Sequence, residues 1–512
     1  MSSHFALTNP LIRLLDKPRE DFTRDDFLEV MRTQGLERIT LHYTALDGKL
    51  KELKIPVTDR AQAERILADG ERVDGSSLFK GLVDAAVSDL YVVPVYRSAF
   101  LNPFDPGSLD FVCRYLDGDG NLAGFTPDGI LHNALQRFRE TTGLDLYGLG
   151  ELEFFLLTPP ETPLFLAPKQ HGYHATAPFV KGGDVINEMV SAVAQVTGAV
   201  KYAHSEVGSI ESVRSDLPEL KGRHGEQMEI EFLPTPIDVA ADNLVVARWL
   251  IRNIAYRHGC LATFAPKLEE GVAGNGLHVH LAIHRKGRNA MSDDAGALTE
   301  PARRLIGGLC HYADSLTAFG NTTSAAYLRL VPNQEAPTHI CWSDRNRSAL
   351  IRVPLAWAGG GNLARRLNPT ATRLDIPAES RQTVELRSPD GSALVHLLLA
   401  GLTMAVEWGL THDEALETAE RLYVTGNIFK DPELLRGLPH LVGSCVQSAA
   451  VLLEKRDLYE RDGLFPPSVI DYMVRLLRAE KDEEMNAHLA DLPADDRLLE
   501  TRRIMHRDLH RH

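Results

Sequence analysis

Hydrophobic and polar positions alternate with a period of two along several short stretches of this chain, and this alternation is typical of β-strands. Residues 39–44 and 49–55 alternate in this way on either side of Asp47-Gly48, a dipeptide that favours a tight hairpin turn. The pattern therefore predicts a small N-terminal α/β unit that ends near residue 120.

Helical signals lie between the alternating stretches of the larger, remaining part of the chain. Thr126 followed by proline is typical of a helix start, and Gly143 is typical of a helix end. Further helices are predicted at residues 185–197, behind a capping Asp184, and at residues 239–258. Antiparallel strands with helices packed outside them indicate an α+β fold.

Four strand-like stretches carry pairs of polar residues at positions i and i+2. The pairs are Glu151 and Glu153, Glu229 and Glu231, His278 and His280, and Glu385 and Arg387. Because alternate side chains of a strand point to the same face, each pair projects two polar groups together. Burying carboxylates among apolar neighbours is costly unless cations neutralise them. Several such strands in one sheet would therefore form a carboxylate-lined basin.

The residue types in this basin bear on the ion that it would bind. An E-x-E pair on the wet face of a sheet is common without any metal, and an H-x-H pair alone favours zinc at least as readily. Glutamates outnumber histidines among the pairs, and hard cations prefer oxygen ligands. The set as a whole favours Mg²⁺ or Mn²⁺.

Composition and charge narrow the class of protein. The formal charge of −15 over 512 residues argues against a nucleic-acid partner. Five scattered cysteines without C-x-x-C spacing indicate reduced thiols and a cytoplasmic location. The start of the chain lacks a signal-peptide pattern, and no run of about 18 apolar residues predicts a membrane span. Residues 470–512 are charged with a helical period, which predicts a solvated terminal helix.

Short motifs that include the polar pairs follow one another over nearly the whole chain. They are V-D-G-S-S at 73–77, E-L-E-F-F at 151–155, H-S-E-V at 204–207, Q-M-E-I at 227–230, T-F-A-P-K at 263–267, G-N-G-L-H-V-H at 274–280, Y-L-R-L-V-P at 327–332, E-A-P at 335–337, R-N-R-S at 345–348 and V-E-L-R-S-P-D at 384–390. This ordered set resembles the motifs of the glutamine synthetase family.

The resemblance implies an architecture and a reaction. It implies a small β-grasp-like domain over residues 1–120 and a catalytic domain over residues 121–512, whose curved antiparallel sheet forms a funnel flanked by helices. It also implies a ring-shaped homo-oligomer with active sites between subunits. In the family's reaction, ATP phosphorylates the side-chain carboxylate of glutamate, and ammonia or another amine then displaces phosphate to form an amide.

The resemblance also implies metal and phosphate ligands. One divalent cation, Mg²⁺ or Mn²⁺, would be held by Glu153, Glu206 and Glu229, and a second by Glu151, His278 and Glu385. Contacts to ATP and its phosphates would come from Arg347, Arg352, Arg387 and His280. Planar guanidinium groups suit such bidentate contacts, whereas Arg345 has no assigned role and is expected in a surface salt bridge.

Substrate contacts and catalytic groups follow from the same resemblance. Substrate binding would involve Arg329, Gly274, Tyr173, Ser77 and His204, with Arg329 on the amino acid's carboxylate. Asp74, contributed by a neighbouring subunit, would bind the amine and take its proton. Glu335 would close over the acyl phosphate and exclude water. Arg347 would act on the phosphoryl group.

Several positions depart from the family pattern. Ala273 stands where members usually carry an Asn that contacts the amino-acid substrate, and further differences from the usual residues are Ala282, Leu328 and Thr383. Segments 212–223 and 357–376 are insertions, and we expect both near the substrate entrance. The tyrosine that is adenylylated in regulated bacterial members is missing from residues 434–439.

Two functions are therefore open at this point. The first is an ATP-dependent carboxylate–amine ligase that joins glutamate to ammonia or to another amine. The second is a catalytically silent relative that binds nucleotide or amino acid as a sensor or assembly protein. The complete set of carboxylates favours the ligase, since clustered acids repel one another without cations.

Overall fold

The computed structural model describes residues 5–83, 88–160, 170–180, 182–331, 336–356, 363–370 and 380–511. Glu335 and most of the segment 357–376 lie outside the described residues. Two β-sheets, each with its own hydrophobic core, organise the described part of the chain.

The first sheet forms the N-terminal unit. Its strands are β1 (Arg38–Thr44), β2 (Leu50–Pro56), β3 (Glu71–Asp74), β4 (Asp89–Pro94), β5 (Phe100–Leu101) and β6 (Ser108–Leu116). They lie in the order β2-β1-β6-β4-β3, with β5 paired to β6. Only the pairing of β1 with β6 is parallel among the described strands of this sheet. The helices of this unit are α1 (Pro10–Leu15), α2 (Arg24–Gln34), α3 (Arg60–Asp69) and α4 (Gly75–Leu78).

The hairpin predicted at Asp47-Gly48 is present. Thr44 pairs with Leu50, so β1 and β2 are antiparallel neighbours. Gly48 has a φ of 73°, in the left-handed region that favours glycine, which explains why this residue can close the turn. The prediction of this hairpin is confirmed.

The second sheet is longer and curves around a cavity. Its strands are β7 (Asp145–Thr158), β8 (Val200–Ile210), β9 (His224–Phe232), β10 (Thr235–Pro236), β11 (Leu261–Thr263), β12 (Leu277–Arg285), β13 (Arg288–Asn289), β14 (Trp342–Asp344), β15 (Ile351–Val353) and β16 (Val384–Leu386). The order is β14-β15-β16-β12-β7-β9-β8, and all described pairings except β14 with β15 are antiparallel.

Helices cover the convex side of this sheet and continue beyond it. They are α5 (Pro127–Thr142), α6 (Gly183–Thr197), α7 (Ile237–Arg257), α8 (Glu300–Gly320), α9 (Ala326–Arg329), α10 (Ala364–Leu367), α11 (Val395–Thr411), α12 (Glu414–Arg421), α13 (Pro432–Arg436), α14 (Cys445–Glu454), α15 (Arg456–Glu460), α16 (Pro467–Arg478), α17 (Met485–Asp491) and α18 (Ala494–Arg507). Helix α11 is buried along most of its length between α5, α7 and α8. The predicted α+β class is confirmed.

Short 3₁₀ helices connect some of these elements. They lie at Arg19–Asp21, Tyr96–Ser98, Ile428–Lys430 and Arg461–Gly463. Among the described helices, none combines the length and the apolar run that a membrane span requires.

Local signals placed all three predicted helices to within two residues at each end. Thr126 caps α5 by accepting a hydrogen bond from the Gly129 N–H, and Gly143 ends the helix in the left-handed region. Helix α7 begins two residues before the predicted position. The predicted cap of α6 at Asp184 is wrong, because the helix begins at Gly183 and its N-cap is Gly182. The Gly182 N–H instead donates to Glu226 of strand β9, a partner distant in sequence.

The prediction of helical structure over residues 470–512 is confirmed, but the expectation of one solvated terminal helix is wrong. This part forms helices α16, α17 and α18, and its last turns pack against the second sheet. Met505 and Leu509 are each 2% exposed. The Thr263 hydroxyl donates to the Leu509 carbonyl at 2.9 Å, so the end of the chain is fixed beside strand β11.

The insertion at 212–223 does not line the substrate entrance, contrary to expectation. Its apolar residues Val213 and Leu220 are buried in a small core with Leu509. Ser215 hydrogen-bonds His506 at 2.9 Å, which joins the insertion to helix α18. Burial of these apolar side chains therefore directs the segment to the C-terminal helices and away from the cavity.

Ion pairs join the N-terminal unit to helix α7. Arg114 of β6 pairs with Asp242 of α7 at 2.6 Å, and Arg97 pairs with Asp238 at 2.7 Å. Burial raises the pKa of Asp242, but the charge of Arg114 outweighs this effect and lowers the pKa to about 2. The N-terminal unit therefore rests on the helix that also supports strand β7.

Candidate active site

The concave side of the second sheet encloses a cavity of about 1500 Å³. Strands β7, β8, β9 and β12 supply much of its wall, and the segments around Arg329, Arg347 and Arg387 supply the opposite side. Polar side chains from widely separated parts of the chain meet here.

Strand register explains why the polar pairs converge. Glu153 lies opposite Glu229, and Glu151 lies opposite both Glu231 and His278 in the neighbouring strands. His280 lies opposite Glu385 in β16. Because partners across a ladder share a face, the i and i+2 residues of four strands point into one cavity.

One ligand cluster consists of His204, Glu206 and Glu229. One ligand atom from each lies within 4.8 Å of those of the others. Burial and the neighbouring carboxylates Glu151 and Glu153 raise the pKa of Glu229. Burial lowers the pKa of His204, but its hydrogen bond with Glu229 outweighs this and raises the pKa of the imidazole. The pair therefore holds a proton that a bound cation would have to displace.

Glu153 lies beside this cluster and makes other contacts. Its Oε2 accepts hydrogen bonds from the Gly276 N–H at 2.7 Å and from Nε2 of Gln227 at 3.1 Å. Glu153 is directly opposite Glu229 in the β7–β9 ladder. The geometry therefore groups His204, rather than Glu153, with Glu206 and Glu229, and Glu229 also has ligand atoms within 4.8 Å of those of Glu151 and Glu231.

The second cluster consists of Glu151, His278 and Glu385, the set that the sequence predicted. Nδ1 of His278 lies 2.7 Å from Oε2 of Glu151 and 3.6 Å from Oε1 of Glu385. Burial raises the pKa of Glu151. The charge and hydrogen bond of His280, together with those of His278, outweigh this effect and lower the pKa well below its usual value. This cluster is therefore anionic in the chain itself.

His280, predicted to contact nucleotide, lines the cavity, and two neighbouring side chains hold its ring. Its Nε2 lies 2.9 Å from Oε1 of Glu151, and its Nδ1 lies 2.9 Å from the Thr383 hydroxyl. Both ring nitrogens are therefore engaged, and the side chain is 5% exposed. His280 orients Glu151, and Thr383 in turn fixes the imidazole ring.

Arginines face the two clusters. Arg352 and Arg387 donate to the two oxygens of Glu385 at 2.9 and 2.5 Å. Burial raises the pKa of Glu385, but the charges of Arg387 and of nearby histidines outweigh this effect and lower the pKa. Arg329 is 6% exposed and donates to the Ser388 carbonyl at 3.0 Å. The cavity therefore combines acidic clusters with cationic side chains at its wall.

Aromatic rings surround the outer part of the first cluster. The ring of Tyr173 lies 5.4 Å from that of His204, and the ring of Tyr202 lies 5.7 Å from it. Arg347 extends over the Tyr173 ring with its guanidinium carbon 5.9 Å from the ring centre. Arg347 and Tyr173, both of which were predicted to be site residues, therefore line the cavity.

Close backbone contacts explain two glycines of the G-N-G motif. A Cβ atom on Gly276 would lie 2.8 Å from Nε2 of His278 and 2.8 Å from Nη2 of Arg329. A Cβ atom on Gly274 would lie 2.3 Å from the Pro266 carbonyl oxygen. A side chain at either position would displace residues that line the cavity.

Two predicted residues lie away from this cavity. Asp74 and Ser77 are at the edge of the N-terminal unit, where the Ser77 hydroxyl donates to Asp74 at 2.6 Å. Neither residue lines the cavity of its own chain. Glu335 lies outside the described residues.

Other departures from the family pattern have structural roles. Ala282 is 1% exposed and packs in the core of β12, and Leu328 packs against the same core. Gln227 contacts both Glu153 and the Gly274 carbonyl, and the sequence motif Q-M-E-I was the available signal for it. Gln170 also lines the cavity, and no sequence motif indicated it.

Family models match the chain over most of its length. The model described as "Glutamine synthetase, catalytic domain" matches residues 125–492, and the model described as "Glutamine synthetase, beta-Grasp domain" matches residues 35–118. The glutamine synthetase of Pyrococcus abyssi is 29% identical over 94% of this chain and 97% of its own length. That of Thermus thermophilus is 31% identical over 75% of this chain and 79% of its own length.

Solved structures share the fold. The structure of apo GmaS without ligand matches with a TM-score of 0.69 at 22% identity, over 92% of this chain and 98% of its own. The Plasmodium falciparum glutamine synthetase matches with a TM-score of 0.70 at 19% identity, over 93% of this chain and 98% of its own. These matches and the family models confirm the resemblance drawn from the motifs, and the chain belongs to the glutamine synthetase family of ATP-dependent glutamate–amine ligases.

Proposed function

We propose that this chain uses ATP to join the side-chain carboxylate of glutamate to an organic amine. The observation that carries the proposal is the convergence of two carboxylate–histidine clusters and five arginines on one cavity, the arginines being Arg329, Arg347, Arg352, Arg381 and Arg387. The alternative, a catalytically silent relative that acts as a sensor, has less support, because both clusters of metal-ligating side chains are present.

The donor atoms of the two clusters fit Mg²⁺ or Mn²⁺, because carboxylate oxygens predominate and each cluster contains one imidazole. We propose that one cation is held by Glu151, His278 and Glu385. A second is held by Glu206 and Glu229, with Glu153 or His204 completing the set. When bound, such cations neutralise phosphate charge and stabilise the charge that develops during phosphoryl transfer.

In the first step, an oxygen of the substrate's side-chain carboxylate attacks the γ-phosphorus of ATP and ADP leaves. Arg347, Arg352 and Arg387 hold the phosphates through charge-assisted hydrogen bonds. Glu335 is proposed to cover the acyl phosphate and keep water from hydrolysing it. Arg329, beside Gly274, binds the amino-acid carboxylate.

In the second step, the amine nitrogen bonds to the acyl carbon and phosphate leaves. Asp74 and Ser77 reach this position from a neighbouring subunit, with Tyr173 and His204 on the other side. Hydrogen bonds from Ser76 and Ser77 lower the pKa of Asp74 to about 2. Asp74 therefore stays ionised, binds the ammonium group and relays its proton to solvent.

This arrangement requires a homo-oligomer, and we propose rings in which the N-terminal unit of one subunit completes the next cavity. The support is that neither Asp74 nor Ser77 lines the cavity of its own chain.

An organic acceptor is favoured by the surroundings of His204. Tyr173 and Tyr202 are each 45% exposed, so two ring faces are open at the cavity mouth. An alkyl group on the amine would cover these rings, and each buried methylene contributes about 0.8 kcal/mol. Ammonia cannot make this contact.

The acceptor is tested by phosphate release with ATP, Mg²⁺, glutamate and a series of ammonium, methylamine and propylamine. We expect kcat/KM to rise along the series by up to roughly 50-fold, since three carbons supply about 2.4 kcal/mol. The highest kcat/KM with ammonium would reject the organic acceptor and leave glutamine synthesis. No phosphate release with any amine would reject the ligase.

Replacing Asp74 by asparagine should lower kcat/KM for the amine about 100-fold, because the neutral amide cannot bind the ammonium group. Since the pKa of Asp74 is lowered to about 2, its protonation should add no acid limb to the pH–rate profile between pH 4 and 7. Asp69→Asn, a matched change at an exposed position of the same unit, should leave the rate unchanged. Equal loss in both variants would contradict the role of Asp74.

Mixed oligomers test the neighbouring-subunit arrangement directly. Asp74→Asn subunits keep an intact cavity, and Glu151→Gln subunits keep Asp74. Co-expression with two affinity tags should therefore restore part of the activity that each variant lacks alone. Purified mixed oligomers that remain as inactive as the separate variants would show that Asp74 serves its own chain or none.

A further inference from the structure

The side chain of Gln170 fills the space beside Ala273. The Ala273 N–H donates to Oε1 of Gln170 at 3.1 Å. Because a main-chain N–H can only donate, this contact fixes the amide with its oxygen towards Ala273 and its NH₂ group turned away. Both residues line the cavity.

The NH₂ group of Gln170 lacks an acceptor. Its nitrogen is buried and has no hydrogen-bond partner among the described residues. A buried donor without a partner is destabilising, so this position favours a ligand that brings an acceptor. An ammonium group offers no acceptor and cannot meet this need.

Contacts of the main chain hold Gln170 in place. The Ser205 hydroxyl donates to the Gly172 carbonyl at 2.7 Å, which ties this segment to strand β8. A Cβ atom on Gly172 would lie 2.6 Å from the Glu206 carbonyl oxygen, so the approach is close. Gln170 itself has a φ of 57°, a region that non-glycine residues adopt rarely and often at ligand sites.

Gln170 and Arg329 both lie close to the same backbone segment. Gln170 contacts Ala273, and a Cβ atom on the next residue, Gly274, would lie 3.2 Å from Cγ of Arg329. The side chains of Gln170 and Arg329 thus both lie close to residues 273–274, and both line the cavity. Two donor groups around one position suit a carboxylate, which accepts through two oxygens.

We propose that Gln170 binds the α-carboxylate of the amino-acid substrate through its NH₂ group, together with Arg329. This inference rests on the proposed function, because it assigns a substrate contact within the same cavity. Gln170 thereby supplies an amide at the place where Ala273 has none.

The test compares glutamate with 4-aminobutyrate, which is glutamate without the α-carboxylate. Gln170→Leu removes the donor, and Gln170→Glu places an anionic oxygen where the NH₂ group was. We expect KM for glutamate to rise about 10-fold to 30-fold in the first variant and about 100-fold in the second. The value of kcat and KM for ATP should change less than threefold.

Binding of 4-aminobutyrate, measured by competition, separates recognition from a structural effect. Its affinity should change less than threefold in Gln170→Leu, because the contact that this variant loses is to the missing carboxylate. Equal weakening of glutamate and 4-aminobutyrate would overturn the proposal, and so would an unchanged KM for glutamate in Gln170→Glu. Gln34→Glu, at the exposed end of α2, is the matched control and should behave as the unsubstituted enzyme.

A second substitution offers a rescue. Ala273→Asn in the Gln170→Leu background restores an amide to the same wall, and KM for glutamate should return to within about fivefold of the original. Failure of this inference is distinct from failure of the proposed function. The inference fails when an active enzyme ignores changes at Gln170, whereas the function fails when the unsubstituted enzyme releases no phosphate.

Discussion

Replacing Glu151 by glutamine is expected to lower kcat about a thousandfold. Glu151 belongs to the second ligand cluster, and its two oxygens also hold His278 and His280 at 2.7 and 2.9 Å. Glutamine keeps the shape but removes the charge, so a divalent cation loses an anionic ligand, and one of the two imidazoles faces an NH₂ group in place of an acceptor oxygen. A loss of about 4 kcal/mol in transition-state stabilisation corresponds to this factor.

Phosphate release at saturating substrates measures the effect, with Glu140→Gln on the exposed face of α5 as the matched control. A second readout is thermal: Mg²⁺ or Mn²⁺ should raise the melting temperature of the unsubstituted protein, and less so that of Glu151→Gln. Removal of divalent ions by a chelator should abolish phosphate release in both. Full activity of Glu151→Gln, or of the chelated enzyme, would reject the metal-dependent ligase.

Replacing Glu385 by alanine is expected to reduce the free energy of unfolding by about 3–5 kcal/mol, besides removing a cation ligand. Glu385 is fully buried and accepts from Arg352 and Arg387 at 2.9 and 2.5 Å. The two guanidinium groups are only 18% and 11% exposed, so solvent replaces their lost partner poorly. Two largely buried cations would then repel each other without compensation.

Unfolding in urea, followed at fixed protein concentration, measures this loss. The matched control is Glu300→Ala, whose side chain is 57% exposed and pairs with Arg304 at 2.8 Å. A surface pair contributes about 0–1 kcal/mol, so this control should shift the midpoint little. Similar shifts in the two variants would mean that Arg352 and Arg387 find other partners, and would contradict the ion-pair network inferred around Glu385.

Local sequence signals were sufficient for elements whose determinants are close in the chain. The hairpin at Asp47-Gly48 needs only the turn dipeptide and alternating neighbours, and α5 needs only its cap residue Thr126 and its terminal Gly143. The polar pairs were read correctly as sharing a face, because the period of a strand is a local property.

Distant contacts decided the features that the sequence missed. The start of α6 depends on Glu226, more than forty residues away, because this side chain accepts from the Gly182 N–H. The chain end is buried since Leu509 meets the insertion core, which no local pattern reveals. His204 enters the first cluster because strand register sets which side chains meet.

The sequence alone was enough to predict the family, the α+β class and the carboxylates that face one side of the sheet. This is because short motifs and strand periodicity depend only on residues that are close together in the chain. The tertiary structure alone decided how those residues group, where the insertion at 212–223 packs, and that the amide of Gln170 lies beside Ala273. The sequence could not show this grouping because ligand geometry depends on distances between atoms of separate strands and loops. Folding brings those atoms together through strand register and burial.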